Sequence, residues 1–275
     1  MEIDDDHGID TEPAPGVDYS LTDGVAVVLL RGSAPGNALD AALRSELLAA
    51  VSRVRSDGND VRAVLLAARG TSFCVGQDLK EHARDLAADP ESAFAKVRTD
   101  YNPLVEALYA LPMPVVAAVE GACVGAGLAL ALCADVRVVA EGARFATAFT
   151  GIGLAADSGL SATLTRALGS SRAAGLFLLG DRFDARDALR WGLAHRVTTD
   201  GAATAAGLAL AHCLAAGPTA AYREVKALLR HTDDAASSTV LEREAAAQER
   251  LGATRDHQAA VRAFSARDKP TFHGC

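Results

Sequence analysis

The stretch GACVGAGLALALCADVRVV (121–139) carries the reading of the fold. It follows the apolar run PVVAAV (114–119), which has strand length. Its first part, Gly121–Gly127, is a glycine-rich turn. Leu128–Ala134 reads as a buried helix and DVRVVA (135–140) as a buried strand. The same order occurs earlier. VRAVLLAA (61–68) is a strand, TSFCVGQDLK (71–80) is a loop around Gly76, and a helix starts at Leu79. In both turns glycine lets the backbone come close to something. In both, peptide N–H groups at the following helix start lack an intrahelical acceptor and can face an anion. Two such turns in one core offer two donors to one developing negative charge, the design of an oxyanion hole.

Working outward, VAVVLL (25–30) is a strand and RGSAPGN (31–37) a turn. Ala38–Arg55 has helical spacing, with Asn37 or Asp40 as its cap. Pro90–Leu111 reads as helical. From Ser158 helices dominate, apart from a short strand around Ala194–Thr198. They include Ala202–Ala215, Pro218–Leu229, Ser237–Leu251 and Asp256–Ala266. Strand–helix alternation followed by helices predicts an α/β protein with a mainly parallel sheet covered on both faces. The expected organisation is an acidic, disordered tail over 1–17, a core over 18–200, and an all-helical segment over 201–275. There is no internal repeat and no long linker.

The 275 residues carry a net charge of −8, which disfavours a nucleic-acid partner. The five cysteines form no CxxC pair and read as reduced cytosolic thiols, so a cytoplasmic location is expected. No two of the seven histidines stand at helical ligand spacing, so no metal is expected. The acidic start MEIDDDHGIDTEPAPG does not resemble a signal or transit peptide. The apolar runs are too short, or too soon followed by charge, to predict a membrane span. A phosphate-binding GxxxxGK[ST] loop is absent. Gly125–Ala126–Gly127 lacks the third glycine of a dinucleotide fingerprint. Tyr222 and Lys226 match a YxxxK spacing but read as one face of an ordinary helix. The GxSxG elbow of serine hydrolases is absent.

Asp157, in GIGLAADSGL (151–160), stands alone among glycines and aliphatics. Burying an unpaired carboxylate costs several kcal/mol. Two readings follow: an N-cap for the helix within SGLSATLTRAL, or a catalytic base in an apolar pocket.

Five segments together carry a resemblance: SFCVGQDLKE (72–81), AAVEGACVGAGLALALCADVRVVAEGARF (117–145), GIGLAADSGLSATLTRALG (151–169), GDRFDARDALRWGLAHRV (180–197) and AVRAFSARDKPTFHG (260–274). They resemble the crotonase, or enoyl-CoA hydratase/isomerase, superfamily. The resemblance implies a crotonase-like ββα spiral and acyl-CoA thioester substrates. It places the oxyanion donors at the peptide groups of Gln77 and Ala126. It implies that Cys74, Gly76, Asp78, Leu79 and Lys80 line the CoA passage, beside Gly125. Arg267 and Lys269 then either reach CoA phosphates or are ordinary solvated charges. Hydratases of the family use two glutamates; the matching positions here are Ala129 and Phe149. GIGLAADSGLS is similar to an isomerase subgroup with aspartate at this point, including 1,2-epoxyphenylacetyl-CoA and Δ3,Δ2-enoyl-CoA isomerases. That likeness makes Asp157 the proton shuttle, with Phe149 and Leu154 shaping the acyl pocket. No cofactor is implied, CoA being part of the substrate. A homotrimer or hexamer is implied. The alternatives are an atypical enoyl-CoA hydratase and a non-catalytic acyl-CoA-binding protein of the same fold.

Overall fold

The computed structural model describes residues 15–89, 92–230 and 237–274. The chain winds through two sheets. Strands β1 (Gly16–Thr22), β2 (Val25–Arg31), β3 (Ala63–Ala68), β5 (Val115–Val119), β7 (Val136–Ala140) and β10 (Arg196–Thr198) form a six-stranded sheet in the order β1-β2-β3-β5-β7-β10. All its pairs are parallel except the β1–β2 hairpin. Strands β4 (Ser72–Cys74), β6 (Ala122–Val124), β8 (Arg144–Ala146) and β9 (Phe183–Asp184) form a second sheet in that order. Three times the chain lays a strand in the large sheet and the next in the small one: β3 then β4, β5 then β6, β7 then β8. This is the expected ββα spiral, and the expected α/β class with a mainly parallel sheet.

Period-two alternation decides what each face of the large sheet meets. Val28, Leu30, Val64, Leu66, Val115 and Ala117 share a core cluster with Leu43, Leu47 and Val51 of α1 (Ala41–Ser56), with Leu104 and Leu108 of α3 (Asn102–Tyr109) and with α4 (Ala126–Cys133). Val25, Ala63, Leu65, Val116 and Val138 face the other way, onto Ala203, Ala211 and Ala215 of α8 (Ala203–Ala215). Covered on both sides, β3 and β5 are apolar without interruption, as the sequence shows. The remaining helices are α2 (Leu79–Ala88), α5 (Leu160–Leu168), α6 (Ser170–Leu179), α7 (Ala185–Arg190), α9 (Thr219–Arg230), α10 (Ser237–Gly252) and α11 (Arg255–Ala266). No helix among the described residues is long and apolar enough to cross a membrane.

Several expectations are corrected. β1 already begins at Gly16, inside the stretch expected to be tail; residues 1–14 lie outside the described part. Asp40, not Asn37, caps α1, its Oδ1 accepting from Leu43 N at 2.8 Å. Asn37 is buried instead, with its side chain holding Gly32 N, Arg69 O and Ser72 O. The helix expected over 90–111 is interrupted: a π-helical turn, Val97–Tyr101, runs into α3. The short strand expected around Ala194–Thr198 is β10, at the edge of the large sheet, whereas β9 in the small sheet is not expected from a stretch dominated by helices. Gly169 separates α5 from α6.

Lys226, half of the YxxxK spacing, has a structural task. Its Nζ donates to Met113 O at 2.8 Å and meets Asp135 Oδ2 at 2.5 Å, and the same carboxylate oxygen accepts from Val115 N at 2.8 Å. The group ties α9 to the start of β5. Burial draws the Lys226 ammonium below its ordinary pKa, and the Asp135 charge opposes the shift. Lys226→Ala would leave Asp135 without its counter-charge and destabilise the chain by about 3 kcal/mol. Urea unfolding measures this as a lower midpoint with an unchanged slope.

Candidate active site

Two backbone turns meet at the ends of β4 and β6. These strands are parallel, with Cys74 opposite Cys123. Gln77 and Ala126 each lie three residues beyond those partners. Gly76, at φ +86°, packs so tightly that an added Cβ would lie 3.0 Å from Val124 O and 3.3 Å from Ala126 N. Gly127 lies against the other turn: an added Cβ would fall 2.2 Å from Cys74 O. Glycine at both positions is therefore a condition for the two turns to touch.

The free donors follow from the hydrogen-bond pattern. Leu39 forms a parallel bridge with Gln77, in which Leu39 N donates to Gly76 O at 2.7 Å and Asp78 N donates to Leu39 O at 3.4 Å. In such a bridge the straddled residue turns its own N–H away from its partner. Gln77 N–H thus points away from Leu39 and finds no acceptor among the described residues. Ala126 opens α4, so its N–H has no intrahelical acceptor. These are the two peptide groups expected from the sequence, and the structure brings them side by side. The Gln77 side chain turns elsewhere, its Nε2 lying 3.1 Å from His82 Nδ1.

Cys74 is fully buried, and burial pushes its thiol up to about 12, against a weaker pull from the Gly76 N–H. It is a neutral packing group, not a nucleophile. Asp78 caps α2, its Oδ1 accepting from Lys80 N at 2.7 Å and Glu81 N at 3.0 Å. Leu79 and Lys80 are exposed beside it. The Phe149 ring closes over Gly125, 4.0 Å from where a Cβ would stand. Phe149 O accepts from Ile152 N at 3.1 Å and from Leu154 N at 3.0 Å, and this tight turn leads toward Asp157. Ala129 is fully buried in α4. At the two positions that matched glutamates, the chain therefore presents hydrocarbon.

Asp157 is not the cap of α5. That place belongs to Gly159, in a left-handed conformation, and no side chain caps the helix. The capping reading is overturned because the chain makes a turn at Ser158 and Gly159 before the helix starts. Asp157 is half-buried, and Ser158 Oγ donates to its Oδ1 at 2.8 Å. Ser158 is itself buried at φ +54°, a conformation that strains a non-glycine residue. Burial raises the Asp157 pKa above its ordinary value, with the Ser158 hydroxyl pulling the other way.

Sequence reasoning passed over Tyr101. It is buried at the end of the π-helical turn, and its pKa is driven up by burial and by the Asp157 charge among others. One turn further on, Val105 lies 3.9 Å from where a Gly159 Cβ would stand, so this face of α3 borders Asp157. The π-helical turn, a feature frequent at functional sites, had no marker in the sequence.

Among the described residues no hydrogen bond or ion pair joins Arg267 or Lys269 to this site. Their segment is anchored where Arg62 Nη2 meets Phe272 O at 3.1 Å, before β3 begins and so at the opposite end of the sheet. A cavity of about 680 Å³ opens between Arg69, Glu120, Asp200 and Thr204. Neither donor nor Asp157 lines it. Its acids have structural partners: Glu120 accepts from Gly201 N and Ala203 N, and Asp200 from Gly142 N. Among the described residues no group of His, Cys, Asp and Glu is arranged to hold a metal ion.

A family model described as enoyl-CoA hydratase/isomerase matches residues 20–275. The chain belongs to the enoyl-CoA hydratase/isomerase family. A solved enoyl-CoA hydratase/isomerase structure from Mycobacterium abscessus superposes with a TM-score of 0.91 at 55% identity, covering 93% of this chain and 98% of that one. A probable enoyl-CoA hydratase of Rhodobacter capsulatus is 39% identical, over 93% of this chain and 97% of the relative. The 1,2-epoxyphenylacetyl-CoA isomerase of Escherichia coli is 34% identical, over 91% and 95%. Membership makes the chain an enzyme family member acting on acyl-CoA thioesters. The relatives carry both hydratase and isomerase names, so the reaction must be argued from the residues.

The contact at Gly127 gives a direct test. Gly127→Val would drive a side chain into the Cys74 carbonyl, separate the turns and lower stability by about 1–3 kcal/mol. Thioester turnover would fall at least tenfold in the fraction that stays folded, measured by steady-state kinetics beside circular dichroism.

Proposed function

We propose that the protein is an enoyl-CoA isomerase in which Asp157 is the only proton carrier. One observation carries this reading. Among the described residues the partly desolvated carboxylate of Asp157 has no hydrogen-bond partner beyond Ser158, and Ala129 and Phe149 put no second carboxylate at the two matched positions for handling water. Hydration needs water held and deprotonated while a proton reaches the α-carbon; a double-bond shift needs one base that gives back what it takes.

The thioester oxygen rests between the N–H groups of Gln77 and Ala126, which acidifies the α-carbon. Asp157 removes a proton from C2 of a 3-enoyl thioester. The freed pair forms a C1–C2 double bond and pushes the carbonyl pair onto the oxygen at the two donors; when the charge returns, the C3–C4 pair takes up a proton at C4 and the double bond comes to lie between C2 and C3. The same carboxyl returns its proton at C4, giving the 2-enoyl product. An epoxyphenylacetyl thioester would use the same donors and base. Phe149 and Leu154 shape the acyl pocket, and Cys74–Lys80 with Gly125 line the CoA passage. Arg267 and Lys269 meet CoA phosphates only if they come from a neighbouring subunit. No separate cofactor enters this chemistry. We further infer assembly into a trimer or hexamer, which would cover Leu178 and Leu179 at the end of α6, now 77% and 74% exposed. Light scattering would give three or six times the mass of the chain.

The deciding measurement is deuterium uptake from heavy water into a 3-enoyl-CoA and a 2-enoyl-CoA. Native protein should move the double bond with exchange at C2, and Asp157→Asn should lose at least ~10²-fold in rate. Hydration that survives the mutation would make the protein an atypical hydratase; binding without exchange would make it non-catalytic.

The pH dependence has a defined sign. Asp157 works as the carboxylate, and its pKa lies above the ordinary 3.8. Activity should therefore be full at neutral pH. It should fall on acidification through a limb lying higher than that of an ordinary aspartate, seen in kcat/KM.

A further inference from the structure

Arg44 projects from α1 into the apolar side of that helix, beside the buried Leu43, Leu47 and Val51, and its side chain is only 2% exposed. A guanidinium there needs partners, and two of them, Leu39 O and Glu81, flank the segment that carries Gln77, while a third, Asp100, comes from the π-helical turn. Nη1 donates to Leu39 O at 2.7 Å. Leu39 is the residue that straddles Gln77 through Gly76 O and Asp78 N. Nη2 meets Glu81 Oε1 at 2.9 Å, and Nε reaches Asp100 Oδ2 at 3.2 Å. Glu81 Oε2 accepts from Ala41 N at 2.8 Å, closing the ring from α2 back to α1. The Tyr101 ring supports the guanidinium at 5.1 Å, and its hydroxyl donates to the same Leu39 O at 3.4 Å.

We infer that Arg44, paired with Glu81, is a positioning residue that holds the Gln77 N–H in place for the thioester oxygen. The inference rests on the reading of Gln77 as an oxyanion donor. Segment 76–81 is gripped at both ends by one side chain, in front through Leu39 O and behind through Glu81. Burial alone would raise the Glu81 carboxyl. Hydrogen bonds from Lys96, Arg44 and Ala41 N outweigh it and bring the group down to about 2, so the clamp stays charged across the working pH range. A structural role alone explains the choice poorly, since a well-packed apolar residue at a buried ion-pair site is often as stable or more so. What a hydrocarbon cannot do is hold two backbone points at fixed distance with directional bonds. An oxyanion donor needs such placement, because losing one donor lowers turnover by ~10²–10³-fold.

The test uses butanoyl-CoA labelled with carbon-13 at the carbonyl, read by infrared difference spectroscopy, with native protein, Arg44→Lys and Glu81→Gln. Native protein should shift the bound carbonyl stretch to lower frequency. In folded variants the shift should shrink and kcat for C2 exchange should fall by ~10-fold or more, up to the ~10²–10³-fold of a lost donor. KM and the butanoyl-CoA Kd should change less than threefold. If Arg44→Lys does not fold, the isosteric Glu81→Gln, which can still accept from Ala41 N, decides. A native-size shift with native kcat in either folded variant overturns the inference, as does an equal loss of binding and turnover with the shift unchanged. Absence of any shift in native protein removes the donor reading and this inference with it. Failure of the Asp157 reading shows separately, as an Asp157→Asn variant that still exchanges.

Discussion

The site depends on how closely α4 can approach β4. A Cβ at Gly127 would fall 2.2 Å from the Cys74 carbonyl oxygen, far inside van der Waals contact, so the two segments meet backbone to backbone. From that contact follows the neighbourhood of Gly76 and Ala126, and from that the presence of two N–H groups on one side of the structure. The large sheet makes the contact rigid. β3 and β5 are buried on both faces, and each feeds directly into a strand of the small sheet, so neither turn can move without disturbing the core.

Much of this was legible in the sequence. The strands β2, β3, β5 and β7 announced themselves as apolar runs, and α2, α8, α9, α10 and α11 lie within a residue or so of their expected bounds. Gln77 and Ala126 were located by motif and the structure places them together. Other parts depend on tertiary contact. Asp157 and Asn37 both had the composition of caps, but a cap is defined by where the helix begins, and each chain start is set by packing elsewhere. The strand β1 was hidden because its alternating polar pattern continues from an acidic stretch. Arg44 left a trace, a charge on the buried face of an amphipathic helix, whereas its partners come from Leu39, Glu81 and Asp100 and are scattered along the sequence.

The same reasoning separates fold from reaction. Backbone donors stabilise any enolate-like oxygen, so they mark the family and not its individual chemistry. The reaction is decided by where carboxylates stand around the thioester and how far they are desolvated. Here the positions at α4 and after β8 carry Ala129 and Phe149, and in the proposed reaction the proton is handled from the turn before α5 instead. Strain at Ser158 belongs to that turn. It places a hydroxyl on one carboxylate oxygen of Asp157, the other having no hydrogen-bond donor among the described residues.

The shared register of the two donors has a metrical consequence. Each lies three residues past a directly paired cysteine on neighbouring parallel strands. The close contact of Gly76 with Ala126 N, where an added Cβ would lie 3.3 Å away, keeps the two peptide groups neighbours, within the reach of adjacent strands about 4.8 Å apart. Two nitrogens placed about 2.9 Å from one shared oxygen stand roughly that far apart. The paired turns thus act as a gauge for recognising a carbonyl, set by peptide geometry and by the glycines that let the backbones meet, and independent of the side chains that touch the acyl group. A lineage built on it can rewrite every residue that touches the acyl group and still present the same grip on the thioester.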